Sequence, residues 1–175
     1  MTISRPLRLS GTVSRRSEAS NHLRSPSDVV LVERERPRLL LLFCPCGCRE
    51  ELPINLDPRA GLAWRFYSSG RNGLSLFPSV WRESGCRSHF IVWRGKTYLF
   101  QRAEDELNTS QQTQDSALDD EVRERLPGAG LVSFVELAED LGVVPWDVLI
   151  VCHRLVRKGV AREGKSRQRG SFGRV

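Results

Sequence analysis

No run of this 175-residue chain approaches the roughly 20 consecutive apolar residues that a membrane span requires. Leu39 to Phe43 is apolar throughout but is only long enough for a buried strand. An apolar core segment is also missing from the first 27 residues, which are rich in Ser and Arg, so no secretion signal is expected there. A reducing, cytoplasmic compartment follows as the expectation, and it argues against disulfides. Aromatic residues are scarce outside one region. Ten of the thirteen lie between Phe43 and Phe100, which places the principal core in that stretch.

Charge is plentiful but unevenly placed. The net charge of +6 and pI of about 9.5 make the chain attractive to anions. Residues 1–27 carry five arginines against Glu18, interleaved with Ser4, Ser10, Ser14, Ser17 and Ser20, and predict a disordered basic arm. Residues 102–121 carry seven acids against Arg102, and within them 102–117 reads as a solvated acidic linker. The expected organisation is an arm over 1–27, a β domain over 28–101, that linker, and a second domain over 118–175.

Four of the five cysteines fall in two clusters, Cys44-Pro45-Cys46-Gly47-Cys48 and Cys86-Arg87-Ser88-His89. Pro45 and Gly47 break any regular periodicity and make the first cluster a tight knuckle rather than a row of buried thiols. A disulfide between near neighbours such as Cys44 and Cys46 would be strained. Thiolate and imidazole donors in this number suit zinc, which takes four ligands tetrahedrally in a structural site. Five donors are on offer, Cys44, Cys46, Cys48, Cys86 and His89, so one is surplus. The fifth cysteine, Cys152, reads as core.

Between residues 28 and 101, short apolar runs separated by Pro, Gly, Asn and Ser predict a small antiparallel β domain. Strands are expected at Val29–Val32, Arg38–Phe43, Glu51–Leu56, Leu62–Tyr67, Gly73–Phe77, His89–Trp93 and Lys96–Phe100. The last two flank Arg94-Gly95 as a tight hairpin. The C-terminal part is helical in pattern: Ser133 and Glu136 form a capping box, Gly142 stops the first helix, and Pro145 opens a second that ends by Gly159. With a helix near Leu118–Leu126 and a basic hairpin around Val160–Phe172, a winged helix-turn-helix is expected. The fold class is therefore α+β. The helix over 145–158 offers only His153, Arg154, Arg157 and Lys158 as plausible contacts, most of them near its C-terminal end, whereas helix-turn-helix readers usually contact bases from the N-terminal half. Weak nucleic-acid binding through the tail, with Arg162, Lys165, Arg167 and Arg169 on phosphates, is thus placed behind a docking role.

The segment from Val29 to Phe100 resembles a small bacterial zinc-binding family long without an assigned function. The resemblance rests on Cys44–Cys48, Trp64-Arg65-Phe66, Leu76-Phe77-Pro78-Ser79-Val80-Trp81-Arg82, Cys86–His89 and the aromatic hairpin Phe90–Phe100. It implies an association with operons encoding ubiquitin-like proteins and their activating-like and conjugating-like enzymes, some linked to phage defence. It also implies a peptidase acting on the ubiquitin-like conjugate, with partners in that machinery. Two departures stand out: Arg49 replaces a glycine found in many relatives, and Phe100 a cysteine found in some.

Two mechanisms follow from the same residues. If Cys44, Cys46, Cys48 and Cys86 saturate a structural zinc, His89 is free as a general base, with Ser79 as nucleophile ahead of Ser88, whose side chain should face away from His89. Asp57 or Glu83 would then orient the base, and amides near Gly85 or Gly73 would bind an oxyanion. If His89 ligates zinc, the domain is a non-catalytic zinc-ribbon adaptor. A winged-helix DNA-binding regulator is the third reading.

Overall fold

The structure, a computed structural model, describes residues 3–69, 73–100 and 116–175. It divides into two units, Met1–Glu106 and Leu107–Val175. Strands and helices are both present and the strand pairs are antiparallel with one exception, so the α+β class holds. No helix among the described residues is long and apolar enough to cross a membrane.

The first unit contains β1 (Ile3–Pro6), β2 (Arg8–Val13), a short helix α1 (Arg16–Ala19), β3 (Asp28–Arg34), β4 (Arg36–Phe43), β5 (Glu51–Asn55), β6 (Arg65–Ser69), β7 (Gly73–Trp81), β8 (His89–Trp93) and β9 (Lys96–Phe100). They form two sheets, in the orders β1-β9-β8-β7-β6 and β2-β3-β4-β5. Side chains alternate along a strand, and here the alternation gives the two sheets facing apolar surfaces. Val29, Leu31, Leu40, Leu42 and Ile54 from one sheet meet Leu74, Leu76, Val80, Phe90 and Val92 from the other. The opposite face of the second sheet is apolar as well, with Val30, Val32 and Leu41 covered by Ala19 and Leu23. That double burial explains why β3 and β4 read as continuous apolar runs. The hairpin between β8 and β9 turns on Arg94 and Gly95, both at positive φ (48° and 68°), as a two-residue turn matched to strand twist requires. Gly73 lies against it so closely that a Cβ there would stand 2.9 Å from the Gly95 Cα.

Two expectations need correction. The segment 1–27 is not a free arm over its described part: β1 pairs with β9 and β2 pairs with β3, the latter in parallel, so the domain is not purely antiparallel. The apolar residues that anchor it, Leu7, Val13, Ala19 and Leu23, are spaced singly among Ser and Arg and leave no compositional mark. Its charge is also used: Arg8 bonds the buried Asp28 at 2.8 Å, and the amides of Arg24 and Ser25 donate to the same carboxylate. Chiefly the Arg8 bond holds that carboxyl below its usual range, against the cost of burial. The expected acidic linker, 102–117, lies outside the described residues except for Ser116 and Ala117, which open a helix.

The second unit comprises α2 (Ser116–Arg125), β10 (Val132–Ser133), α3 (Phe134–Leu141), α4 (Pro145–Arg157), β11 (Ala161–Glu163) and β12 (Ser171–Arg174), with the strands in the order β10-β12-β11. The capping box closes as expected: Ser133 Oγ accepts from Val135 N at 3.1 Å, and Ser133 N donates to Glu136 Oε2 at 3.0 Å. Gly142 ends α3 in the left-handed region, φ 65°. Val122, Leu126, Leu137, Val148, Val151, Leu155 and Phe172 form the core. Cys152 is fully buried among them, and burial pushes its thiol up to about 12, as befits a core residue.

Candidate metal centre and active site

Two loops of the first unit bring the cysteines together. Cys44 follows directly on β4, whose ladder continues through Cys44 N to Glu50 O at 2.8 Å. The knuckle then folds on itself, with Gly47 N bonded to Cys44 O at 3.2 Å, Gly47 at φ 97° and Arg49 at φ 62°. Cys86 lies on the loop joining β7 to β8. That loop is closed by Arg82 N to Ser88 O at 3.0 Å and turned by Gly85 and Arg87, both at positive φ.

The four sulfurs of Cys44, Cys46, Cys48 and Cys86 all lie within 4.8 Å of one another. Cys44 Sγ stands 3.4 Å from Cys46 Sγ and 3.5 Å from Cys86 Sγ. Zinc–sulfur bonds of about 2.3 Å in a tetrahedron place sulfurs about 3.8 Å apart, so the cluster has the size that such an ion needs. Its polar surroundings favour thiolate. Ser88 Oγ lies 3.1 Å from Cys44 Sγ and 3.4 Å from Cys86 Sγ, the Cys48 amide donates to Cys46 Sγ at 3.4 Å, and Arg82 Nη1 donates to Cys86 Sγ at 2.9 Å. Burial opposes ionisation of Cys86, but hydrogen bonds led by those from Ser88 outweigh it and bring its pKa down to about 6. Burial dominates at Cys46 and pushes it up to about 12, since neighbouring thiols cannot all ionise without a cation among them.

His89 is not in this cluster. Its ring is stacked on Trp81 (centroids 4.9 Å apart, 22° between planes) and tilted against Phe100 at 4.9 Å. Trp81 and Phe100 are its cross-strand partners on β7 and β9. Both ring nitrogens are buried and without a hydrogen-bond partner. Burial lowers the imidazole pKa, leaving the ring neutral. Ser88, one residue earlier, is buried and faces the sulfurs, as chain alternation requires.

Ser79 sits on β7 two residues before Trp81. The ladder pairs Val80 with Phe90 and Trp81 with His89, and a bulge between Leu76 and Val80 takes Ser79 off the regular register. Bulges of this kind re-aim side chains next to active sites. Trp64 Nε1 donates to Ser79 O at 3.3 Å and fixes the backbone there. No hydrogen bond joins Ser79 to His89 in this conformation.

The candidate orienting acids lie elsewhere. Asp57 is taken up by Arg59 through its side chain and backbone amide, and by Arg38 at 3.4 Å. Chiefly the Arg59 bond holds that carboxyl far below the usual carboxylate range. Glu83 is exposed in the β7–β8 loop. Of the glycines considered for an oxyanion site, Gly73 packs on Gly95 and Gly85 faces Arg82 and Glu50. Sequence reasoning assigned no role to Arg82, Trp64 or the aromatic walls of His89. The one signal was their presence in the Leu76–Arg82 and Phe90–Phe100 motifs.

Residues 15–100 match the family model described as bacterial ubiquitination-like system serine protease (BubE). No curated protein and no solved structure matches the chain.

Proposed function

We propose, from the match of residues 15–100 to the family described as bacterial ubiquitination-like system serine protease, that the chain is a serine-type hydrolase that processes or deconjugates a ubiquitin-like protein. Its partners are then that protein and its conjugating machinery. Cys44, Cys46, Cys48 and Cys86 hold a structural zinc, His89 is the general base and Ser79 the nucleophile. The observation that carries this reading is the division of labour among the five donors: four sulfurs converge, and the imidazole stands outside with both nitrogens unpartnered. Zinc bound by four thiolates is coordinatively closed, so its contribution is to hold the two loops together.

The chemistry belongs to the side chains. Ser79 Oγ attacks the substrate carbonyl while His89 takes the hydroxyl proton, and that proton then passes to the departing amine as the C–N bond breaks. Water, giving its proton to His89, cleaves the resulting ester and frees Ser79. The mechanism requires the serine and imidazole to come within hydrogen-bond reach, about 2.6–3.2 Å, in the substrate complex. Ser88 serves the thiolates as a donor rather than attacking substrate.

We read the Leu107–Val175 unit as a winged helix that docks protein rather than reading DNA. In support, Arg154 and Lys158 are both paired with Asp119, and His153 Nε2 lies 3.7 Å from Glu163. Arg162 is bonded to the carbonyls of Gly130 and Arg174.

The test of the active site is labelling with a fluorophosphonate, read by peptide mapping, alongside cleavage of a ubiquitin-like fusion. The label should fall on Ser79, and Ser79→Ala should abolish both labelling and cleavage while Ser88→Ala retains cleavage. Label on Ser88 instead would overturn the assignment. The lack of a hydrogen bond between Ser79 and His89 favours one second reading, a zinc adaptor without catalysis, for which neither label nor cleavage would be seen.

A further inference from the structure

Four thiolates around one divalent cation leave a net charge of −2, and a partly buried site of that charge needs donors that compensate it. Among the described residues one cation is placed to do so. Arg82 Nη1 donates to Cys86 Sγ at 2.9 Å and reaches Cys48 Sγ at 3.8 Å, so a single guanidinium touches a sulfur from each of the two loops. The other arm, Nη2, bonds Glu50 Oε2 at 2.6 Å, and Glu50 closes the knuckle through its carbonyl to Cys44 N. The side chain is 10% exposed although its charge would ordinarily seek water. Space is kept for it: a Cβ on Gly85 would stand 3.0 Å from Nη2 and 3.4 Å from the Glu50 carboxylate.

We propose that Arg82, held by Glu50, is a positioning residue of the thiolate centre that neutralises part of its charge and ties the knuckle to the end of β7. A planar fork suits this task better than a point charge, because its two arms serve sulfur and carboxylate at once. Arg82 immediately follows β7, which carries Ser79, and its own amide bonds the carbonyl of Ser88, next to His89. The latch therefore joins the metal loops to both strands of the site. That last consequence rests on the reading of Ser79 and His89 given above, whereas the role at the sulfurs rests on the cluster alone.

The experiment uses the full chain and the metal only. Zinc affinity is measured by chelator competition, and the cobalt-substituted protein supplies the thiolate-to-cobalt charge-transfer band. Arg82→Ala should weaken zinc by about 10–100-fold, the range typical of lost outer hydrogen bonds to ligands. The cobalt site should stay tetrahedral with a shifted charge-transfer band. Arg82→Lys should recover part of the affinity and Glu50→Gln should lose a smaller part. A purely structural role would lower the melting temperature without moving the band. Unchanged zinc affinity and an unmoved band in Arg82→Ala, or in Glu50→Gln should the alanine variant not fold, would overturn the proposal. A wild-type chain that takes up no cobalt would overturn the centre and this role together.

Discussion

At the scale of the residue, His89 holds a titratable ring between two aromatic walls. Trp81 and Phe100 strip its hydration and no partner replaces it, so burial holds its pKa below the ordinary 6.5. The unfolded chain consequently binds the proton more readily than the folded one. Folding stability should be fully present above the ordinary value and decline as pH falls from about 6.5 toward the lower folded-state value. His89→Phe, which keeps the aromatic stack, should flatten that part of the profile, as read from urea midpoints between about pH 5 and 7. An unaltered slope in the variant would show that His89 does not titrate as its burial dictates. The same shift keeps the imidazole neutral at pH 7, the state a general base needs.

At the scale of the element, the knuckle carries a cost that its sequence discloses. Arg49 occupies φ 62°, a region that L residues adopt only under strain. Arg49→Gly should stabilise the first unit by about 0.5–1 kcal/mol, measured from denaturant midpoints, because glycine relieves that strain. A destabilised variant would mean that the Arg49 side chain contributes more than its backbone costs. The strands of the β domain were legible because turn residues bracket each apolar run, and the Arg94-Gly95 hairpin came with its register. Strand β6 begins at Arg65 rather than Leu62, since a short helical turn at Pro58–Ala60 and the chain reversal after it occupy the preceding residues. The N-terminal strands were illegible for a physical reason. Edge strands pair through backbone groups, which every residue has, and β2 needs few apolar side chains to do so.

At the scale of the whole molecule, two units with separate cores share one chain, and the sequence changes its grammar along the chain from period-two runs to capped helices. It also supplied all four converging cysteines. It could not say which of the five candidate donors would stand outside the cluster, because His89 is turned away by strand alternation at Ser88 and His89 and held by aromatic rings from two other strands. Nor could it show that Asp57 is committed to arginines, since Arg59 and Arg38 meet it only through the folded loop. The central claim is the separation of His89 from the four-cysteine cluster, and the most direct measurement is the zinc content of purified His89→Ala together with its cleavage of a ubiquitin-like fusion. The account predicts one zinc per chain, as in the wild type, and no cleavage. A variant that loses its zinc, or one that keeps zinc and cleaves normally, would contradict it.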